Sequence, residues 1–183
     1  MSTEPLALDL ANVDVRTNAD LRRWLEGHGP LGTGDELALR LPEFQSMRSS
    51  LRDLLGASTG GGPFPAAALE RVNEVSARVP VVLRLTAHRA VHEPLPGGVA
   101  ALALARIAWS AIELLGRGSG DRVGRCDACG RFFLATRADR RWCSNACGNR
   151  MRVARHHARR RATSSQGARR GRYRSTGPQQ PVC

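Results

Sequence analysis

"CDACGRFFLATRADRRWCSNACGNRMRVARHHARRR", residues 126–161, holds four of the five cysteines of a 183-residue chain and runs straight into a series of arginines. Cys126 and Cys129 form a C-x2-C pair, and Cys143 and Cys147 form a C-x3-C pair further on. A C-x2-C turn lets two thiolates point at one ion. Residues four apart share a face of a helix, so the second pair fits a first helical turn. Two such pairs supply the tetrahedral four-sulfur shell that Zn2+ takes in closed structural sites. Between them, Phe132, Phe133 and Leu134 read as one strand, "TRAD" as a turn and "RRW" as a return strand. The expected module is treble-clef-like: knuckle, hairpin, helix. A redox dithiol is the competing reading, but the βαβ setting of such motifs is missing. Structural disulfides do not suit the cytoplasm, where this chain is expected to reside. A catalytic zinc needs an open position that four cysteines leave no room for. Cys183 reads as a bystander.

The arginines after the second pair form a pattern. At about 100° per residue, Cys147, Met151, Ala154 and Ala158 share one stripe, the expected packed face. Arg152, Arg155, His156 and Arg159 fall on an arc between about 80° and 180° from Cys147, and Asn149 and Arg160 extend it; Arg150 is a further expected nucleic-acid contact. Arg137, Arg140 and Arg141 add positive charge on the hairpin. Arginine clamps phosphates and also pairs with guanine in bidentate fashion. Asn149 could read an adenine edge or cap local backbone. The surface suits a DNA major groove, and an RNA surface would serve as well.

The charge distribution agrees. The net charge is +12, yet residues 1–121 carry 12 Arg against 14 acidic groups, while residues 122–183 carry 16 Arg against Asp127 and Asp139. A positive block this large attracts a polyanion through counterion release. A solvated basic tail is the alternative. There is no Lys, so the preference for Arg carries no separate weight.

The preceding residues read as one mostly helical domain. Leu6–Leu10 is a strand or a buried N-terminal segment. Thr17 or Asn18 caps a helix bearing Leu21, Trp24 and Leu25, and Gly27 ends it. A helix begins near Asp35, with Pro42 breaking or kinking it. Phe44, Met47, Leu51, Leu54 and Leu55 form one stripe, stopped at Gly56. Ser58–Pro65 is a loop, and Leu69, Val72 and Val75 mark another helix. Val81, Leu83 and Leu85 alternate as a strand, with a return near Val91. Val99–Leu115 is apolar almost all round and reads as a central buried helix. The fold class is α+β, with a small sheet beside the helices. No signal peptide or spanning segment is expected, and no membrane partner. His88, His92 and Glu93 lie close together, and Asp9 and Asp14 lack companions. Neither set makes an enzyme.

At "CGNR", residues 147–150, the sequence resembles the CGNR zinc finger. That finger follows an N-terminal ABATE domain in proteins described as stress-induced bacterial transcription regulators. "LALDLANVDVR" with "ADLRRWLEGHG" resembles the start of that domain, and "ARIAWSAIELLG" its last helix. Composition marks a linker over residues 118–124 and a disordered tail over 162–183, and the resemblance implies an ABATE-like domain over residues 1–117 and a finger over 125–161. It implies one zinc ion on Cys126, Cys129, Cys143 and Cys147. The pairs here are tighter than the family's usual spacing. The expected function is a DNA-binding transcriptional regulator whose N-terminal domain senses an unknown small-molecule effector or mediates oligomerisation. RNA binding and a zinc-stapled protein–protein adaptor are the rival readings. Chelation is expected to melt residues 122–161 and spare the N-terminal domain, since so small a unit needs its metal.

Overall fold

This computed structural model describes residues 4–28, 40–94, 98–116, 122–135, 137 and 139–172. Five helices and a hairpin precede the cysteine unit among the described residues. They are α1 (Leu6–Asn12), α2 (Asn18–Glu26), α3 (Leu41–Gly60), α4 (Ala66–Ala77), the antiparallel pair β1 (Val81–Leu85) and β2 (Ala90–Pro94), and α5 (Val99–Gly116). The cysteine unit follows as β3 (Arg122–Arg125), β4 (Phe132–Ala135) and α6 (Asn145–Arg172). The fold is α+β: helices, two small antiparallel sheets and the cysteine cluster.

The first segment is a helix, not a strand. Ala7, Leu8, Leu10 and Ala11 are all buried, and their spacing is helical. Thr17 caps α2 in a capping box: its hydroxyl accepts from the Asp20 N–H, while the Asp20 carboxylate accepts from the Thr17 N–H. Pro42 starts α3, because the first turn of a helix tolerates a residue without an N–H. Gly56 does not stop it. The helix runs on to Gly60 and ends at Gly61, whose φ of 69° is the left-handed conformation that glycine adopts freely. In α4 the buried positions are Ala68, Val72 and Val75, and Leu69 lies toward solvent. The helix expected from Asp35 lies outside the described residues.

Helix α5 packs against α1, α3 and α4 and buries Ala103, Leu104, Ile107, Ala108 and Ala111. By length and composition it could cross a membrane, but it forms the centre of this helical core. The β1–β2 hairpin forms as expected, but Leu83 and Leu85 of its alternating face are exposed.

The second sheet differs from expectation. The partner of β4 is β3, upstream, in the register Arg122↔Ala135 to Arg125↔Phe132. "RRW" forms no strand. The C-x2-C knuckle is itself the reversal: the Gly130 N–H donates to the Cys126 carbonyl (2.8 Å) and the Cys126 N–H to the Arg131 carbonyl (2.8 Å). Gly130 supports this tight turn with φ 74°. The last residues of the expected linker are therefore strand, and residues 117–121 lie outside the described residues.

Helix α6 also exceeds expectation. It continues through residues 162–172, expected to be a disordered tail. Starting a helix is its costly step, and α6 starts on a turn fixed by two ligand cysteines. Ala, Gln and Arg then propagate it well. Residues 173–183, Cys183 among them, lie outside the described residues.

Candidate metal centre and nucleic-acid surface

Each cysteine is placed by a local device. Cys126 ends the β3 hairpin arm, Cys129 sits in the knuckle, and Cys143 immediately precedes the α6 cap. Cys147 lies in the first turn of α6, where its N–H donates to the Ser144 hydroxyl (3.3 Å). All four sulfurs lie within 4.8 Å of one another. The Cys129–Cys143 and Cys143–Cys147 separations are 3.6 and 3.7 Å. A disulfide needs about 2.05 Å between sulfurs. A tetrahedron of sulfurs at zinc's usual 2.3 Å bond length has edges of about 3.8 Å. The donor set fits one structural zinc ion.

The electrostatics agree with that fit. Burial pushes the Cys126 thiol up, but backbone N–H groups of Cys143, Ala128 and Cys129, with the Cys129 thiol, bring it down to about 6. Burial, thiol hydrogen bonds from Cys129, Cys126 and Cys147, and repulsion from Cys126 push Cys143 up to about 12. Without a cation, Cys126 and Cys143 do not ionise together. A dication reverses that balance. When bound, zinc supplies structural cross-linking here, with no open position for chemistry.

Around the sulfurs, Phe133 and the buried Cys126 and Cys147 form a small core, with Ala128, Ala135 and Trp142 packed on it. Gly124 faces the Phe133 ring so closely that a Cβ would lie 2.8 Å from it. The other face of the same strand does something sequence reasoning missed. Phe132 is 3% exposed and belongs to the main helical core, with Val123 and Leu134 packed beside it. Successive strand residues point to opposite faces, so "FF" could have been read as one ring for each of two cores. Asn12, at the end of α1, grips Phe132 by its main chain: Nδ2 donates to the carbonyl (2.8 Å) and Oδ1 accepts from the N–H (2.9 Å).

The arginines divide into two groups. Arg140, Arg141 and Arg155 brace the cysteine unit. Arg140 donates to the carbonyls of Trp142 (3.1 Å) and Cys143 (2.8 Å), with its guanidinium 5.1 Å from the Phe133 centroid. Arg141 pairs with Asp127 at 2.6–2.7 Å. Arg155 donates to the Met151 carbonyl and lies over Trp142 at 5.8 Å. Arg137 is exposed beyond β4, and Asn149, Arg150, Arg152, His156, Arg159 and Arg160 are exposed along α6. The expected packed stripe is shorter than predicted. Cys147 is buried and Met151 half-buried, but Ala154 and Ala158 are exposed. From Arg152 to Arg161 every residue of α6 is exposed. Its 28 residues span about 42 Å.

His88 and Glu93 are exposed on the β1–β2 hairpin, where Glu93 pairs with Arg84. The His92 side chain lies outside the described residues. Asp9 pairs with His28 at 2.5 Å and Asp14 with Arg16 at 2.6 Å.

Two family comparisons match this architecture. Residues 4–118 match the ABATE family, described as "Putative stress-induced transcription regulator", and residues 122–160 match the CGNR zinc finger. No curated protein matches the chain. With more than half of its length under the first match and its four-sulfur cluster under the second, the chain belongs to the ABATE family of regulators and carries a CGNR zinc finger.

Proposed function

We propose that this zinc-binding regulator is a DNA-binding protein whose α6 enters the major groove. The observation that carries the reading is the projecting helix: anchored at one end by ligand cysteines, it is exposed on all sides from Arg152 to Arg161 and rich in Arg. A B-DNA major groove is about 12 Å wide and admits one α-helix. Arg150, Arg152, Arg159 and Arg160 supply phosphate and guanine contacts, Asn149 and His156 supply polar contacts, and Arg137 reaches the flanking backbone. Arg140, Arg141 and Arg155 support the helix as well as adding charge. The N-terminal domain senses a small-molecule effector or mediates association, under stress, in the cytoplasm. In this reading the chain is not an enzyme.

The test is fluorescence anisotropy of the zinc-loaded chain with duplex DNA and with structured RNA at matched salt. The reading expects tighter binding to duplex DNA, with affinity falling steeply as salt rises. Preference for RNA would transfer the surface to the RNA reading, which the same helix supports. Binding to neither would leave the adaptor reading.

A further inference from the structure

We infer that metal occupancy of the cysteine cluster and packing of the N-terminal domain are coupled through strand β4, with Asn12 as the clasp. The inference rests on the zinc assignment and is independent of which nucleic acid α6 binds.

Three observations carry it. First, β4 lines two cores at once: Phe132 and Leu134 face the helices, while Phe133 and Ala135 face the cysteines. Neither core can lose the strand without the other being affected. Second, the joint is polar as well as apolar. The Asn12 amide matches the Phe132 main chain with two hydrogen bonds, as a neighbouring strand would. If β4 leaves, that amide and the Phe132 backbone lose both partners. Third, the joint is locked from α3. Arg52 donates to the Ala11 carbonyl (2.9 Å), one residue from the clasp, and its guanidinium lies 5.8 Å from the Phe132 centroid. Arg125 of β3 lies 5.9 Å from the same ring, so one cation comes from each unit.

Metal loss leaves the cysteine side of the hairpin with one phenylalanine, a tryptophan and a few alanines to hold it, too little for so small a unit. The hairpin then loosens, Phe132 withdraws from the helical core, and the end of α1 and the middle of α3 lose cover. Coupling of this kind is reciprocal. Any event that tightens the α1–α3 joint, such as effector binding in the N-terminal domain, raises metal affinity and steadies the base of α6. The cysteine unit is therefore not the independent, linker-tethered module that its sequence suggests.

The test uses the full chain under reducing conditions. Hydrogen exchange is compared with zinc bound and after chelation, and cobalt binding, read from its thiolate charge-transfer band, is compared between wild type and Asn12→Ala. Asn12 is only part-buried at the end of α1, so this change opens no large cavity. The coupling predicts faster exchange after chelation in Leu6–Asn12 and in the middle of α3, and cobalt affinity weakened about 5-fold or more in the variant. Unchanged exchange in both helices would overturn it, and so would wild-type cobalt affinity in a folded Asn12→Ala. If the variant does not fold, the wild-type exchange comparison still decides. A wild-type chain with no cobalt–thiolate band would instead overturn the zinc assignment and the coupling with it.

Discussion

Replacing Phe132 by alanine tests whether its ring belongs to the helical core. The ring is 3% exposed and packs among core residues of the N-terminal domain. Deleting a buried phenylalanine side chain costs about 3–5 kcal/mol through lost transfer energy and the cavity left behind. The guanidiniums of Arg52 and Arg125, 5.8 and 5.9 Å from its centroid, lose a favourable face, adding about 0.5–1 kcal/mol each at such sites. Against a total stability of about 5–15 kcal/mol for a domain, this is a large share. With a urea dependence of about 2 kcal/mol per molar, a 4 kcal/mol loss moves the midpoint down by about 2 M. The assay is urea unfolding of the zinc-saturated chain, followed by far-ultraviolet circular dichroism, where the N-terminal helices contribute strongly. Phe133→Ala is the control. Its ring is 5% exposed but packs on Cys126 and Cys147, so its loss should chiefly weaken metal binding. A midpoint shift under about 0.5 M for Phe132→Ala, or the same pattern from both variants, would refute the two-faced strand.

Other expectations follow from single contacts. Gly124→Ala drives a Cβ into the Phe133 ring at 2.8 Å, so it should cost about 1–3 kcal/mol by overpacking and lower cobalt affinity in a metal titration. Thr17→Ala removes the α2 capping box and should cost about 1 kcal/mol in thermal unfolding, with metal binding unchanged. Glu43 is held below its ordinary value of 4.5 by hydrogen bonding to Arg40 and by Arg78. Its contribution is therefore present at neutral pH and lost as pH falls through the folded-state value; Glu43→Gln should flatten the acid limb of a stability–pH curve. Replacing Arg152 and Arg159 together by alanine should reduce the slope of log affinity against log salt by about 2 if both contact phosphate. An unchanged slope would remove them from the surface.

The cysteine shell was legible because its spacing is itself a geometric statement: two ligand pairs, each held by a turn or a first helical turn. The helical domain was legible where apolar residues recur at a helical period, as from Phe44 to Leu55 and from Val99 to Leu115. Errors arose where local chemistry had two solutions. Pro42 can break a helix or begin one, and only the tertiary context of α3 decides. "LALDL" is short enough to suit either period, and burial against α5 favours the helix. The partner of β4 is β3 and not "RRW" because the knuckle reverses the chain as well as presenting two ligands. The Asn12 clasp joins residues 120 positions apart and has no local signature, so no reading of neighbours could find it. The division of the arginines was hidden for a similar reason. Arg140, Arg141 and Arg155 look like their neighbours in sequence, and their contacts with Phe133, Asp127 and Trp142 exist only in space.

Zinc X-ray absorption on the full-length chain, purified under reducing conditions and analysed for metal content, bears most directly on the four-sulfur centre that anchors α6. One zinc per chain with four sulfur scatterers at about 2.3 Å is the expected result. A chain free of metal, or a shell in which nitrogen or oxygen replaces a sulfur, would contradict it.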